Sequence, residues 1–238
     1  MNPKERHTRS EIESIPTPEY TKTWHPISHK EVLASLDLIV QAEGVEVVNE
    51  SYSTRNKGRN MFGTWTLDIP LGDGGSLVQL GFRNSLMKTF AVGVAAGTHV
   101  IACSNMQFSG QFLEFRKHTS GLTFEELLYV ADAAFGKALD QAKELHEWHE
   151  GLRAIPLPEP QMKALTFDAM DRGILPANRF GAFREMHQAE VELAGDDGLY
   201  PWHGALTRIN RDLNLFSVGR RTADLRVLCN DYASQVAA

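Results

Sequence analysis

Between residues 52 and 65 the chain places a cationic hexapeptide, Arg55-Asn56-Lys57-Gly58-Arg59-Asn60, between Tyr52 on one side and Phe62 and Trp65 on the other. Cations pair with phosphates and aromatic faces stack on unpaired bases, so these residue types at this spacing fit single-stranded nucleic-acid binding. A solvated hairpin tip with core aromatics behind it has the same composition. Further on, Gly81-Phe82-Arg83-Asn84-Ser85 followed by Lys88 gathers donors for an anion. Asn-Ser is equally a plain turn sequence, and only the Arg goes beyond what a turn requires. A third basic group comprises Arg208, Arg211, Arg220, Arg221 and Arg226. It reads as a solvated helix face or as a set of phosphate contacts.

Other constellations carry less. In Glu144-Leu145-His146-Glu147-Trp148-His149-Glu150 the two His are three apart and share a helix face, as metal ligands do. The metalloprotease helix spaces its two His four apart, and no third ligand accompanies this pair, so the segment reads as the charged, solvated end of a helix. No metal or other cofactor is assigned. Cys103, near His99, and Cys229 sit among apolar neighbours and read as buried thiols rather than nucleophiles. The chain has no Walker loop, dinucleotide fingerprint, nucleophile elbow or paired-Cys zinc pattern. It therefore reads as non-enzymatic, although active sites also assemble from residues distant in sequence.

The periodicities describe the scaffold for these residues. Residues 1–24, with Pro3, Pro16 and Pro18 among scattered Thr, Ser and Glu, have no period and read as a flexible arm that would need a partner surface to order. Ser28 and Glu31 resemble a capping box, and Val32, Leu33, Leu36, Ile39 and Val40 follow at helical spacing until Gly44. From Val45 the period becomes two. Val45, Val47 and Tyr52, then Trp65, Leu67 and Ile69, then Leu77, Gln79 and Gly81 read as strands joined by turns at 55–60 and 72–75. Thr89 to Cys103 is small and β-branched and reads as another strand, with a buried helix as the alternative for its first part; Phe112, Leu113 and Phe115 add one more. Thr123 would cap a long helix reaching about Glu150, apolar along Leu127, Leu128, Ala131, Ala134, Phe135, Ala138 and Leu145. Pro156, Pro158 and Pro160 form a stiff connector, after which 162–173, 178–194, 201–214 and 222–237 each suit a helix. The predicted fold class is α+β: an N-terminal helix, an antiparallel β-meander, a long helix and C-terminal helices. It divides into an arm at 1–24, a core domain at 25–155 and a helical region at 156–238.

Composition bounds the remainder. The 238 residues are 42% hydrophobic and 23% charged, which excludes a collagenous or wholly disordered chain. The longest apolar run, Phe90 to Cys103, is broken by Thr98 and His99 and falls short of a membrane span. The N-terminus lacks the apolar core of a secretion signal, so the expected compartment is the cytoplasm. The net charge of −6 is unevenly spread: 122–150 holds seven Asp/Glu against two Lys, whereas 45–118 holds seven Lys/Arg against five acids. A mildly basic sheet beside an acidic helix can still meet phosphates locally.

The order Gly81-Phe82-Arg83-Asn84-Ser85, then Phe90-Ala91-Val92-Gly93-Val94, then Val100-Ile101-Ala102-Cys103-Ser104-Asn105 with a turn at Met106 to Gly110, resembles the phage- and plasmid-borne family called domain of unknown function 932. The likeness extends loosely over residues 25–215. It implies a mobile-element setting and, if phage-encoded, the host cytoplasm, but no catalytic residues. The β-meander followed by a long helix is also similar in pattern to phage single-strand annealing proteins, which implies a homo-oligomer. The leading expectation is a protein that binds single-stranded nucleic acid, with annealing or recombination of single-stranded DNA as the expected use, through Arg55, Lys57, Arg59, Arg83 and Lys88 for phosphates and Tyr52, Phe62 and Trp65 for bases. The alternative is a non-enzymatic inhibitor of a host defence protein or nuclease that presents the acidic helix Glu125 to Glu150 to a basic partner.

Overall fold

The structure, a computed structural model, describes residues 6–72, 75–100, 105–108, 113–116, 124–211 and 215–237. Three elements precede the sheet proper: strand β1 (Arg6–His7), helix α1 (Arg9–Glu13) and helix α2 (His29–Ala42). Strands β2 (Val47–Arg55), β3 (Asn60–Leu71), β4 (Ser76–Ser85) and β5 (Val92–Val100) follow as an antiparallel meander. Strands β6 (Asn105–Phe108) and β7 (Leu113–Arg116) both pair with β5. Helices α3 (Phe124–Gly151), α4 (Glu159–Asp171), α5 (Phe180–Ala194), α6 (Leu199–Arg211) and α7 (Leu215–Ala237) complete an α+β fold.

Helix α2 starts where its capping residues dictate. Ser28 Oγ accepts from the Glu31 amide at 3.0 Å and Glu31 Oε2 accepts from the Ser28 amide at 2.8 Å, which satisfies two otherwise orphaned donors. Its stripe of Val32, Leu33, Leu36, Ile39 and Val40 is buried against one face of the sheet, where Met61, Trp65, Leu67, Leu80, Phe82, Val92 and Val94 meet it. Helix α3 closes the same core with Leu127, Ala131, Ala134, Phe135, Ala138 and Ala142. Burying a Leu, Ile or Phe of this kind stabilises by about 1.5–3 kcal/mol each. A Cβ at Gly63 would stand 2.2 Å from the Phe82 ring, so glycine is what lets that ring lie across β3. The opposite face carries Phe62 together with the polar side chains of Thr64, Thr66 and Gln79, all of them buried.

A second apolar cluster gathers Leu152, Leu157, Leu165, Ala169, Phe183, Leu199, Trp202, Leu206, Leu225 and Leu228. The two cores divide along α3, between Ala142 and Leu152, rather than at the proline connector. Leu157 is buried in the second core, and Tyr232 Oη donates to the Pro156 carbonyl at 2.9 Å, so the connector is packed rather than spanning a gap.

The N-terminal expectation needs correction for residues 6–24. β1 pairs with β2, Thr8 and Glu11 form a capping box, and Ile12 is fully buried. The partner surface that orders this segment is the chain's own sheet edge, and anchors as few as Ile12 and Trp24 leave no periodic signal. The 89–103 segment is a strand over Val92–Val100, which settles the helix alternative. The turn expected at 106–110 is strand at Asn105–Phe108. The predicted cap Thr123, together with Cys103, Phe112 and Asn214, lies outside the described residues.

Three segments that meet at one end of the sheet are joined by a buried polar network. Asn84 Nδ2 donates to the Ile27 carbonyl and to His29 Nδ1, both at 2.9 Å, and His29 Nε2 donates to the Gly58 carbonyl at 2.9 Å. Asn60 Oδ1 accepts from Ser85 Oγ at 2.8 Å and from Thr89 Oγ1 at 3.1 Å. Replacing Asn84, which is fully buried, with Ala removes the donor that the Ile27 carbonyl and His29 Nδ1 share. The expected cost is about 1–3 kcal/mol, read as a lower urea midpoint at unchanged slope. An unmoved midpoint would show that the network does not hold these segments.

Candidate nucleic-acid interface

The β2–β3 turn projects its charges because its backbone is left-handed. Asn56, Lys57 and Gly58 have φ of 55°, 57° and 84°, and Arg59 N–H returns to the Asn56 carbonyl at 3.3 Å. Arg55, Lys57 and Arg59 are exposed around this tip. The β4–β5 turn lies against it, with the Leu86 amide donating to the Arg59 carbonyl at 2.7 Å. There Lys88, at φ 61°, holds its ammonium 5.0 Å from the Trp24 ring.

The loop before α2 and the start of that helix complete the surface and add exposed Lys22 and Lys30, which the sequence reading missed. Among the described residues, Lys22, Lys30, Lys57 and Arg59 pair with no carboxylate. The segments 15–30, 55–60 and 83–90 together hold seven Lys/Arg and a single acid, Glu19. Arg9, by contrast, is spent within the fold on Glu13, Glu50 and Asp37.

The proposed stacking aromatics are placed differently. Tyr52, Phe62 and Trp65 are at most 2% exposed, so their faces are covered by the protein and present nothing to a base. Trp65 Nε1 donates to Tyr52 Oη at 2.9 Å, Tyr52 Oη donates to Glu50 at 2.7 Å, and both rings pack edge-on against Phe82. Residues three apart on a strand face opposite sides, so Phe62 and Trp65 never formed one platform. Arg83 belongs to β4 rather than to a turn, and its guanidinium lies 5.1 Å over the Phe90 ring. Asn84 and Ser85 are interior hydrogen-bonding groups, not anion donors.

The remaining constellations do not converge. Arg208 meets the buried Glu190 at 3.4 Å, Arg220 meets Asp224 at 3.6 Å, and Arg226 lies 5.1 Å over the Trp148 ring. Arg221 is held below its ordinary range by burial and by Arg220. The side chain of Arg211 lies outside the described residues. Cys229 is a buried thiol whose pKa burial raises. On α3, Glu125, Glu126, Asp132, Asp140, Glu144 and Glu147 are exposed, beside Lys137 and Lys143.

The end of α3 is not solvated as expected. His149 is buried, stacked on Tyr200 at 4.5 Å and tilted against the equally buried His203 at 5.0 Å, and the Arg153 guanidinium lies over the Tyr200 ring, 3.6 Å from its centroid. His146 instead abuts the β3–β4 turn, where a Cβ on Gly72 would stand 2.4 Å from its Nε2. The signal was present in the sequence: Leu145, Trp148, His149 and Leu152 continue the buried stripe at helical spacing.

Burial holds both rings neutral. Desolvation, then the positive fields of His203, Arg153 and His146, push His149 well below its usual value, and desolvation pushes His203 down to about 3. The unfolded chain takes up protons near pH 6.5 that the folded rings refuse, so their contribution is complete above that pH and is lost as pH falls. By pH 5 the loss from His203 is about 2 kcal/mol, and that from His149 has the same sign. Urea unfolding between pH 7.5 and 5 should show this decline, and a His149→Phe/His203→Phe variant should decline less. Parallel curves would refute the assignment.

Comparison with protein-family models, with curated proteins and with solved structures finds no match, so the reading of this surface rests on its own geometry.

Proposed function

We propose that this protein binds single-stranded nucleic acid through the basic end of its sheet. The observation that carries the reading is the concentration of seven Lys/Arg against one acid in three segments that the Asn84 and Asn60 hydrogen bonds hold side by side. Such a concentration makes a local positive potential even on a chain of net charge −6, because at physiological salt charges act over roughly 8 Å. The cations stand on the tips of separate turns. A flexible strand can lay successive phosphates over diverging tips, whereas a duplex offers phosphates at fixed spacing. The mobile-element setting that the family resemblance implies fits a protein handling single strands, and several copies along one strand would multiply the contacts.

A second reading follows from α3, whose outer face carries six exposed carboxylates beside two Lys. This face suits a basic protein partner, as an inhibitor of a host defence protein would require. Nuclease-resistant, stoichiometric capture of one such protein that is lost when these carboxylates are neutralised would favour this reading.

The phosphate role of the hairpin tip is testable by salt dependence. Replacing Arg55, Lys57 and Arg59 together by Ala should weaken binding of a labelled single-stranded oligonucleotide. It should also lower the slope of log K against log salt by about 2, at roughly 0.7 per phosphate contact. Unchanged affinity and slope would remove the tip from the interface.

A further inference from the structure

We infer that Tyr20 and His25 form a base-stacking platform at the rim of the basic end, a role that rests on the nucleic-acid reading and supplies the aromatic contact that the buried Tyr52, Phe62 and Trp65 do not. The Tyr20 ring is 72% exposed and lies on the His25 ring at 4.9 Å between centroids and 19° between planes. One face of Tyr20 is therefore backed by imidazole while the ring as a whole remains open to solvent.

The platform is fixed from below. Thr21 and Trp24 exchange backbone hydrogen bonds of 2.8 and 3.2 Å, closing a turn with Lys22 at its tip. Trp24 is 9% exposed and anchors that turn, and the Lys88 ammonium stands over its ring. An exposed aromatic pair is thus held beside two cations, on a segment that the His29 and Asn84 hydrogen bonds tie to the hairpin tip. Every base offers a π-face, so stacking of this kind adds affinity for unpaired bases without choosing a sequence, and it is closed to bases paired within a duplex. The Tyr hydroxyl has no part in it.

The test separates base contact from phosphate contact. Affinities are measured for wild-type protein, Tyr20→Ala, Tyr20→Phe and the Arg55/Lys57/Arg59 triple Ala variant. The probes are a labelled oligothymidylate and a strand of equal length whose central nucleotides are abasic. Tyr20→Ala should weaken oligothymidylate binding about 5- to 100-fold. Its salt slope and its affinity for the abasic strand should stay at wild-type values, and Tyr20→Phe should retain binding. The exposure of Tyr20 means that this change should leave the urea midpoint unmoved. Undiminished oligothymidylate binding by Tyr20→Ala, or an equal loss on the abasic strand, would overturn the platform. If the triple variant still shows its reduced slope in that case, the nucleic-acid reading survives without the platform. If wild-type protein binds neither strand at low salt, both fall together.

Discussion

One buried amide organises the working end of this molecule. Asn84 donates from within β4 to the Ile27 carbonyl and to His29 Nδ1, and His29 Nε2–H donates to the Gly58 carbonyl. This fixes the imidazole as the Nε2–H tautomer, since Nδ1 must accept. In a low-dielectric interior such bonds are strong and their absence is costly, so three loops distant in sequence are held in one arrangement. Without that network the cations of 15–30, 55–60 and 83–90 would belong to separate mobile turns rather than to a surface.

The rest of the fold can be understood as support for that end. The first eight residues of β3, buried throughout, with Trp65 packed edge-on against Phe82 of β4, give the hairpin a rigid stem, and the left-handed backbone at Asn56 and Lys57 turns its charges outward. Helix α3 runs from the sheet core into the helical core and so couples the two units. Its solvent face is acidic while the sheet end is basic, a separation that would orient an approaching polyanion toward the turns and away from the helix.

The sequence made local features legible and long-range ones illegible. The capping box of α2, the glycine-bearing 55–60 turn and the strand alternation through Gly81 are encoded within a few residues, and they appear where expected. Asn84 and His29 look like turn and helix-start residues because their partners are 57 and 29 positions away. Tyr20 and His25 sit in a proline-rich segment without period, and only the bridge between Thr21 and Trp24 brings their rings together. The aromatics beside the hairpin tip were ambiguous for another reason. Composition cannot distinguish a ring that faces a base from one that faces a core, although the three-residue step from Phe62 to Trp65 already placed them on opposite faces.

The most direct test of the central claim is photo-cross-linking of a single-stranded oligonucleotide carrying thio-substituted bases, followed by mass-spectrometric mapping of the adducts. Adducts confined to peptides covering 15–30, 55–60 and 83–90, and lost at high salt, are the predicted result. Absence of adducts, or adducts confined to the helical half of the chain, would contradict the account.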